Sequence, residues 1–188
     1  MLVTVEKQEV GPVYQKVLEY KKRYSGGIYW RLRKHAAVIE KHLNPGEKVL
    51  YAFPAQKNES HKDIFNTCIL ALTNKRILIG QSRLFVGYAL TSITPDLFND
   101  LEVYQGLIWG IITIDTVKEL VNLSNIDKKA LPEIETNITE FMMEEKKKIK
   151  QAIALEYDPH EDAPKVIASG RGAVAERIIE KAKEAAVP

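Results

Sequence analysis

The spacing of apolar positions changes three times along the chain, and each change marks a boundary. Between Phe65 and Tyr88 apolar residues come in short dense runs, Cys68–Leu72 and Ile77–Ile79, separated by Thr73-Asn74-Lys75-Arg76. Runs of this length, rich in β-formers and joined by residues that tolerate tight geometry, predict strands of a meander. Gly80-Gln81-Ser82 reads as a second breaker and Leu84–Leu90 as the third strand. The same punctuation extends in both directions. Glu47–Phe53 is a strand, followed by Pro54 and the polar run Gln56–Asp63 as a loop. Ser92-Ile93-Thr94-Pro95-Asp96 is another breaker, and Gln105-Gly106 a turn. Leu101–Tyr104, Ile108–Asp115 and Val117–Leu123 bring the total to about seven short strands, hence an antiparallel sandwich or barrel.

On either side the period lengthens to that of a helix. Pro12 sits where a first helical turn has no use for its missing N–H, and Ser25-Gly26-Gly27 stops that helix. In Ile28–Leu43, Ile28, Leu32, Ala36, Ile39 and Leu43 share one face. After the polar loop Ser124–Leu131, Pro132 opens a long helix in which Ile134, Ile138, Phe141, Met142 and Ile149 recur at helical spacing. These are read as core residues of a helix that plugs an open end of the barrel, with Glu144–Lys148 as a solvated turn. Ala152–Tyr157 and Lys165–Ser169 are then strands around the turn Asp158–Pro164. A last helix spans Ala173–Ala186 and packs through Ala175, Ile178, Ile179 and Ala182. The expected fold class is α+β: a helical N-terminal extension (1–46), a seven-stranded antiparallel barrel or sandwich capped by a C-terminal helix (47–150), and a small β-β-α tail (151–188).

Charge adds one local feature. The net charge of +2 is near neutral, but from Lys16 to His42 eight Lys/Arg stand against two Glu. Arg31, Arg33, Lys34 and Lys41 are the candidate surface-interaction residues of this basic helix. Such a segment could meet an anionic membrane or a nucleic acid. The competing reading is a helical hairpin packed on the β domain with its charges in water. The single cysteine, Cys68, excludes a disulfide framework and suits a reducing compartment. Met1–Val10 lacks the long apolar core of a signal peptide. Leu107–Ile114 is too short for a membrane span and is interrupted by Gly110 and Thr113. A cytoplasmic protein, in peripheral contact with the inner face of the membrane if its basic surface is used, is the resulting expectation.

The stretch Ala71–Gly80, ALTNKRILIG, resembles the hairpin of bacterial pleckstrin-homology (PH)-like domains of the YokE type, where a strand ending in Leu-Thr is followed by Asn-Lys-Arg and a second apolar strand. Gln105–Ile114 resembles the later turn and strand of the same family, and the likeness covers roughly Lys48–Ile149. It implies a PH-like fold and a non-enzymatic binding module, with no residue-level ligand site to carry over. In a meander alternate loops emerge at one end, so Gln56–Asp63 and Gly80–Arg83 share an end. There Lys57, His61, Lys62 and Arg83 form a candidate anion site, at the end that PH domains use for phosphoinositides. Glu59 and Asp63 in the same loop oppose it, and an ordinary polar loop is the alternative. Lys75 and Arg76 fall at the opposite end.

In the tail, Ala152–Asp158, Ala163–Gly172, Ala175–Ile179 and Val187-Pro188 resemble the C-terminal cytoplasmic domain of FlhB-type proteins, switch components of flagellar and type III export gates. That likeness implies export-gate components as partners. The family's self-cleaving Asn-Pro-Thr-His motif would stand just before Ala152, where this chain has Lys147-Lys148-Ile149-Lys150-Gln151. Cleavage at an Asn–Pro bond is therefore ruled out at that site. Two strands and a helix make a small core, so the tail is read as a docking piece that packs on the barrel, on a partner or on a second copy.

No catalytic constellation emerges. His35, His42, His61 and His160 lack metal-ligand spacing, and His160-Glu161-Asp162 with Asp158 is an acidic turn. Ser169-Gly170-Arg171-Gly172 lacks the spacing and the Lys-Ser/Thr of a P-loop. The sequence thus predicts no enzyme, metal or cofactor. It predicts a binding or adaptor module for a protein segment or an anionic lipid surface. An accessory role in protein export is the alternative reading, and nucleic-acid binding through the N-terminal helices a second; self-association stays open.

Overall fold

A computed structural model describes residues 10–25, 31–58, 66–83, 86–148, 151–156, 165–171 and 173–184. The chain divides into two compact units, Met1–Met142 and Met143–Pro188.

The first unit is built on one antiparallel sheet in the order β4-β3-β2-β1-β7-β6-β5. Its strands are β1 (Val49–Lys57), β2 (Thr67–Thr73), β3 (Ile77–Ser82), β4 (Tyr88–Ile93), β5 (Phe98–Gln105), β6 (Trp109–Thr116) and β7 (Leu120–Asp127). The sheet curls into a half-barrel whose two halves join where β1 meets β7 through Gln56↔Ser124 and Lys57↔Leu123. Every residue of β2 is buried, because both of its faces are covered. On one face Ala52, Ile69, Ala71 and Leu78 pack against Val13, Val17, Leu32, Ala36 and Ile39 of the two N-terminal helices, α1 (Pro12–Arg23) and α2 (Leu32–Glu40). On the other, the row Phe53, Leu70 and Ile79 lines the concave side.

The basic N-terminal segment is therefore a helical hairpin whose apolar stripe packs on the sheet. Glu40 of α2 reaches across to the start of α1, where its Oε1 accepts the N–H groups of Val13 and Tyr14 at 3.1 Å each. At the other end of α1, Tyr20 packs on Phe53 and meets Tyr51 edge-on, with ring centroids 5.9 and 6.3 Å away. Arg23 grips Glu133 with two 2.7 Å bonds. Glu133 lies in the first turn of α3 (Leu131–Lys148), which seats Leu131, Ile134, Ile138 and Met142 in the core of this unit. Gly110 of β6 permits that seat: a Cβ there would lie 2.6 Å from the Leu131 methyls.

Five expectations are corrected. The first strand begins at Val49 and runs on through Pro54 to Lys57. Over most of its length β1 has a strand neighbour on one side only, so the N–H that Pro54 lacks is not missed. Gly80-Gln81-Ser82 does not break the chain but forms the second half of β3. The third strand of the meander is Tyr88–Ile93 rather than Leu84–Leu90, so Ser92 and Ile93 belong to it. The last strand is Leu120–Asp127, displaced from Val117–Leu123. The second helix is shorter than Ile28–Leu43, and Ile28 lies outside the described residues, as do the turn Asp158–Pro164 and Ile149.

The reason for Gly80 is close approach. A Cβ at Gly80 would stand 2.4 Å from Ile39 Cγ1 and 3.1 Å from the His35 carbonyl oxygen, so α2 lies directly on β3. Gly80→Ala is expected to push the helix outward and destabilise the unit by about 1–3 kcal/mol, read as a lower urea midpoint with an unchanged m-value.

In the second unit β8 (Gln151–Glu156) pairs antiparallel with β9 (Lys165–Arg171), and α4 (Ala173–Glu184) packs on this hairpin with Ala175 fully buried. Among the described residues no helix is long and apolar enough to cross a membrane.

Candidate functional site

The end of the half-barrel that carries the β1–β2 and β3–β4 connections begins at Lys57. Its N–H donates to the Asn66 carbonyl at 2.9 Å, and its ammonium reaches Thr91 Oγ1 at 3.5 Å. The Asn66 side-chain oxygen accepts from Gln81 Nε2 at 3.3 Å. Arg83 directly follows β3 and is exposed. Lys57 and Arg83 thus sit on strands that end together. His61 and Lys62 of the same candidate site lie outside the described residues.

Arg31 links the two candidate groups that the sequence kept apart. It stands just before α2 in a left-handed conformation (φ 63°). Its guanidinium donates to Ser82 Oγ at 3.1 Å and to the Arg83 carbonyl at 2.5 Å. Arg33 and Lys34 follow on the exposed side of the first helical turn, which holds no acidic residue. Positive side chains at the positive end of a helix dipole reinforce each other, so this corner presents a concentrated positive field. Lys41 is exposed at the far end of α2 and does not join it.

His35 fixes the corner. It is 1% exposed and bridges α2 to two strands. Its Nδ1 accepts the Ser82 N–H at 2.8 Å, which leaves Nε2 to carry the proton and donate to Thr67 Oγ1 at 2.9 Å. Burial, with Arg31 nearby, lowers its pKa to about 4. Nothing in the sequence flagged this role. The available signal was a histidine on the apolar side of an amphipathic helix.

At the opposite end, Lys75 and Arg76 turn the chain between β2 and β3. Arg76 is committed to structure, with Nε and Nη2 on the Glu47 carboxylate at 3.0 and 3.1 Å. Cys68 is fully buried, and burial pushes its thiol up to about 12, so it has no thiolate chemistry to offer. Among the described residues no group of three or more His, Cys, Asp or Glu is placed to hold a metal ion.

Residues 43–140 match the family model described as bacterial PH domain, and residues 149–188 match that of the FlhB HrpN YscU SpaS family. A segment covering 24% of the chain is 53% identical over 47 residues to a Bacillus subtilis protein described as uncharacterized protein YlqH. The chain spans about half the length of that curated relative.

Proposed function

The chain belongs to the bacterial PH domain family, and from that premise we propose that it is a non-catalytic adaptor whose FlhB-like tail docks on a protein-export apparatus while the PH domain engages a second ligand. The juxtaposition of a PH domain and a 149–188 segment of the FlhB type in one chain carries this reading. Its natural place is the cytoplasmic side of an export gate. The absence of an Asn-Pro-Thr-His motif before Ala152 makes the tail a fixed docking element rather than a self-cleaving switch.

The test is retention of export-gate components on the immobilised chain, with and without residues 151–188. Gate components are expected with the full chain and lost on truncation. Equal retention by both, or none by either, overturns the reading.

The corner formed by Arg31, Arg33, Lys34 and Arg83 favours a second reading for the PH domain's own ligand, an anionic headgroup. Guanidinium and ammonium groups pair with phosphate oxygens, and three of these cations cluster at one helix start.

A further inference from the structure

The connection between β5 and β6 is an exposed apolar tip. Leu107 is 90% exposed, Ile108 63% and Trp109 42%. Soluble surfaces carry scattered single apolar residues as a rule, but three in succession on one hairpin need a reason. Folding does not require them, since the inward row of the same hairpin is supplied by Leu101, Ile112 and Ile114.

The tip is also rigid. The Gly106 N–H donates to the Trp109 carbonyl at 3.0 Å, and a Cβ at Gly106 would stand 2.8 Å from that oxygen. Lys128 Nζ donates to the Leu107 carbonyl at 2.9 Å and ties the tip to the residues that follow β7. The apolar side chains are thus held outward rather than left loose.

Charge around the tip has one sign. Val103–Ile114 contains no charged residue. Lys128 and exposed Lys129 flank it, because Trp109 pairs with Asp127 across β6 and β7. Asp127, the acid at this corner, is 7% exposed and is turned inward, accepting from the Ser25 N–H at 2.7 Å and the Lys129 N–H at 2.9 Å. By the antiparallel pairing order β5 runs towards the end of the sheet that carries the β2–β3 turn, so the tip lies at the opposite end from Arg83.

We propose that the Leu107-Ile108-Trp109 tip is a wedge that inserts into the interfacial layer of an anionic lipid bilayer, with Lys128 and Lys129 at headgroup level. Leucine and isoleucine gain by leaving water, tryptophan prefers the headgroup boundary, and lysines add attraction to anionic lipid. A second copy of this chain fits worse. The tip is convex and exposes on the order of 400 Å², about half of what each partner buries in a stable protein interface. Two copies meeting there would also bring their lysines together. The proposal is independent of the cationic corner at Arg83, which lies at the other end of the sheet, and does not depend on the tail.

The experiment is co-sedimentation of the full chain with vesicles of phosphatidylcholine alone or mixed with phosphatidylglycerol, and Trp109 emission in a Trp30→Phe background. The chain is expected to pellet with the anionic vesicles only, with a blue shift of Trp109. Leu107→Ser/Ile108→Ser, which replaces exposed side chains and leaves the fold intact, should cut the bound fraction at least tenfold. Lys128→Gln/Lys129→Gln should cut it several-fold and flatten its salt dependence. Absence of pelleting by the parent chain overturns the wedge. So does pelleting that is indifferent to the serine pair but lost in Arg31→Gln/Arg83→Gln, which would leave the headgroup corner standing alone. A dimer that becomes monomeric in the serine pair with vesicle binding unchanged also overturns it, in favour of a second copy.

Discussion

Replacing Arg76 by alanine is expected to cost about 3–5 kcal/mol of stability, the range for breaking a buried ion pair from one side. The Glu47 side chain is fully buried and that of Arg76 is 18% exposed. Around the Glu47 carboxylate converge the Arg76 fork, the Thr73 hydroxyl at 2.8 Å and the Asn44 N–H at 2.8 Å. Arg76 also holds the His42 carbonyl at 2.9 Å and Ser92 Oγ at 3.1 Å, so it ties the end of α2 and β4 to the same turn. Burial opposes the charge on Glu47, but Arg76, the Asn44 N–H and the Thr73 hydroxyl outweigh it and hold its pKa below the ordinary carboxylate value. A depressed carboxylate stabilises the fold above its unfolded pKa and loses that contribution as pH falls through the folded one. In Arg76→Ala the largest group opposing burial is lost, so the pKa of Glu47 rises and this contribution shrinks. Urea unfolding at pH 7 should therefore show the large loss, and Glu47→Gln added to Arg76→Ala should recover part of it. A single variant within about 1 kcal/mol of the parent would show that the turn does not depend on this pair.

This network explains why the Thr-Asn-Lys-Arg turn was legible as a motif. Thr73 Oγ1 accepts the Arg76 N–H at 3.0 Å, and Asn74 exchanges bonds of 2.8 and 2.9 Å with Lys48. These residues act through side chains whose chemistry is visible in the sequence. The acceptor Glu47 was not visible as such, since it lies 29 residues from Arg76 and was counted into a strand. The amphipathic stripe of α2 was legible for the same kind of reason, because Leu32, Ala36 and Ile39 repeat at helical spacing and all three are buried. Gly80 and Pro54 misled because glycine and proline punctuate chains by default. At Gly80 the chain needs room for Ile39, and at Pro54 the strand lacks a second neighbour over most of its length. Both facts are tertiary and leave no local trace. The candidate site was half legible. Lys57 and Arg83 follow from hairpin alternation, whereas Arg31 joins Arg83 only because α2 starts over the end of β3. The apolar tip at Leu107–Trp109 was read only as strand and turn, since exposure cannot be read from a short hydrophobic run.

Acidification from pH 7 to pH 5 is expected to remove about 2 kcal/mol of stability through His35 alone. The folded His35 pKa is lowered to about 4, by burial first and by Arg31 second, from an ordinary 6.5. The unfolded chain takes up this proton near 6.5 and the folded chain only near 4. Stability from the neutral ring is whole above pH 6.5 and drains between 6.5 and 4, because there the unfolded state binds the proton first. The geometry gives the cause. Protonation at Nδ1 would set an N–H against the Ser82 N–H, 2.8 Å away, and place a cation beside Arg31. The ring faces Thr67 from β2, Ser82 from β3 and Arg31 before α2. His35→Asn keeps an acceptor for the Ser82 N–H and removes the titration. It should be less stable at pH 7, yet its urea midpoint should change less between pH 7 and pH 5 than that of the parent. The comparison within one position matters, because every other side chain is common to both proteins. Equal pH slopes for the two would sink the assignment. The consequence reaches the functional corner, since the neutral ring pins the start of α2 to β3. As His35 takes up its proton, Arg31 and Arg83 should lose their fixed spacing before the sheet itself opens, and hydrogen exchange at the Ser82 amide is the local readout.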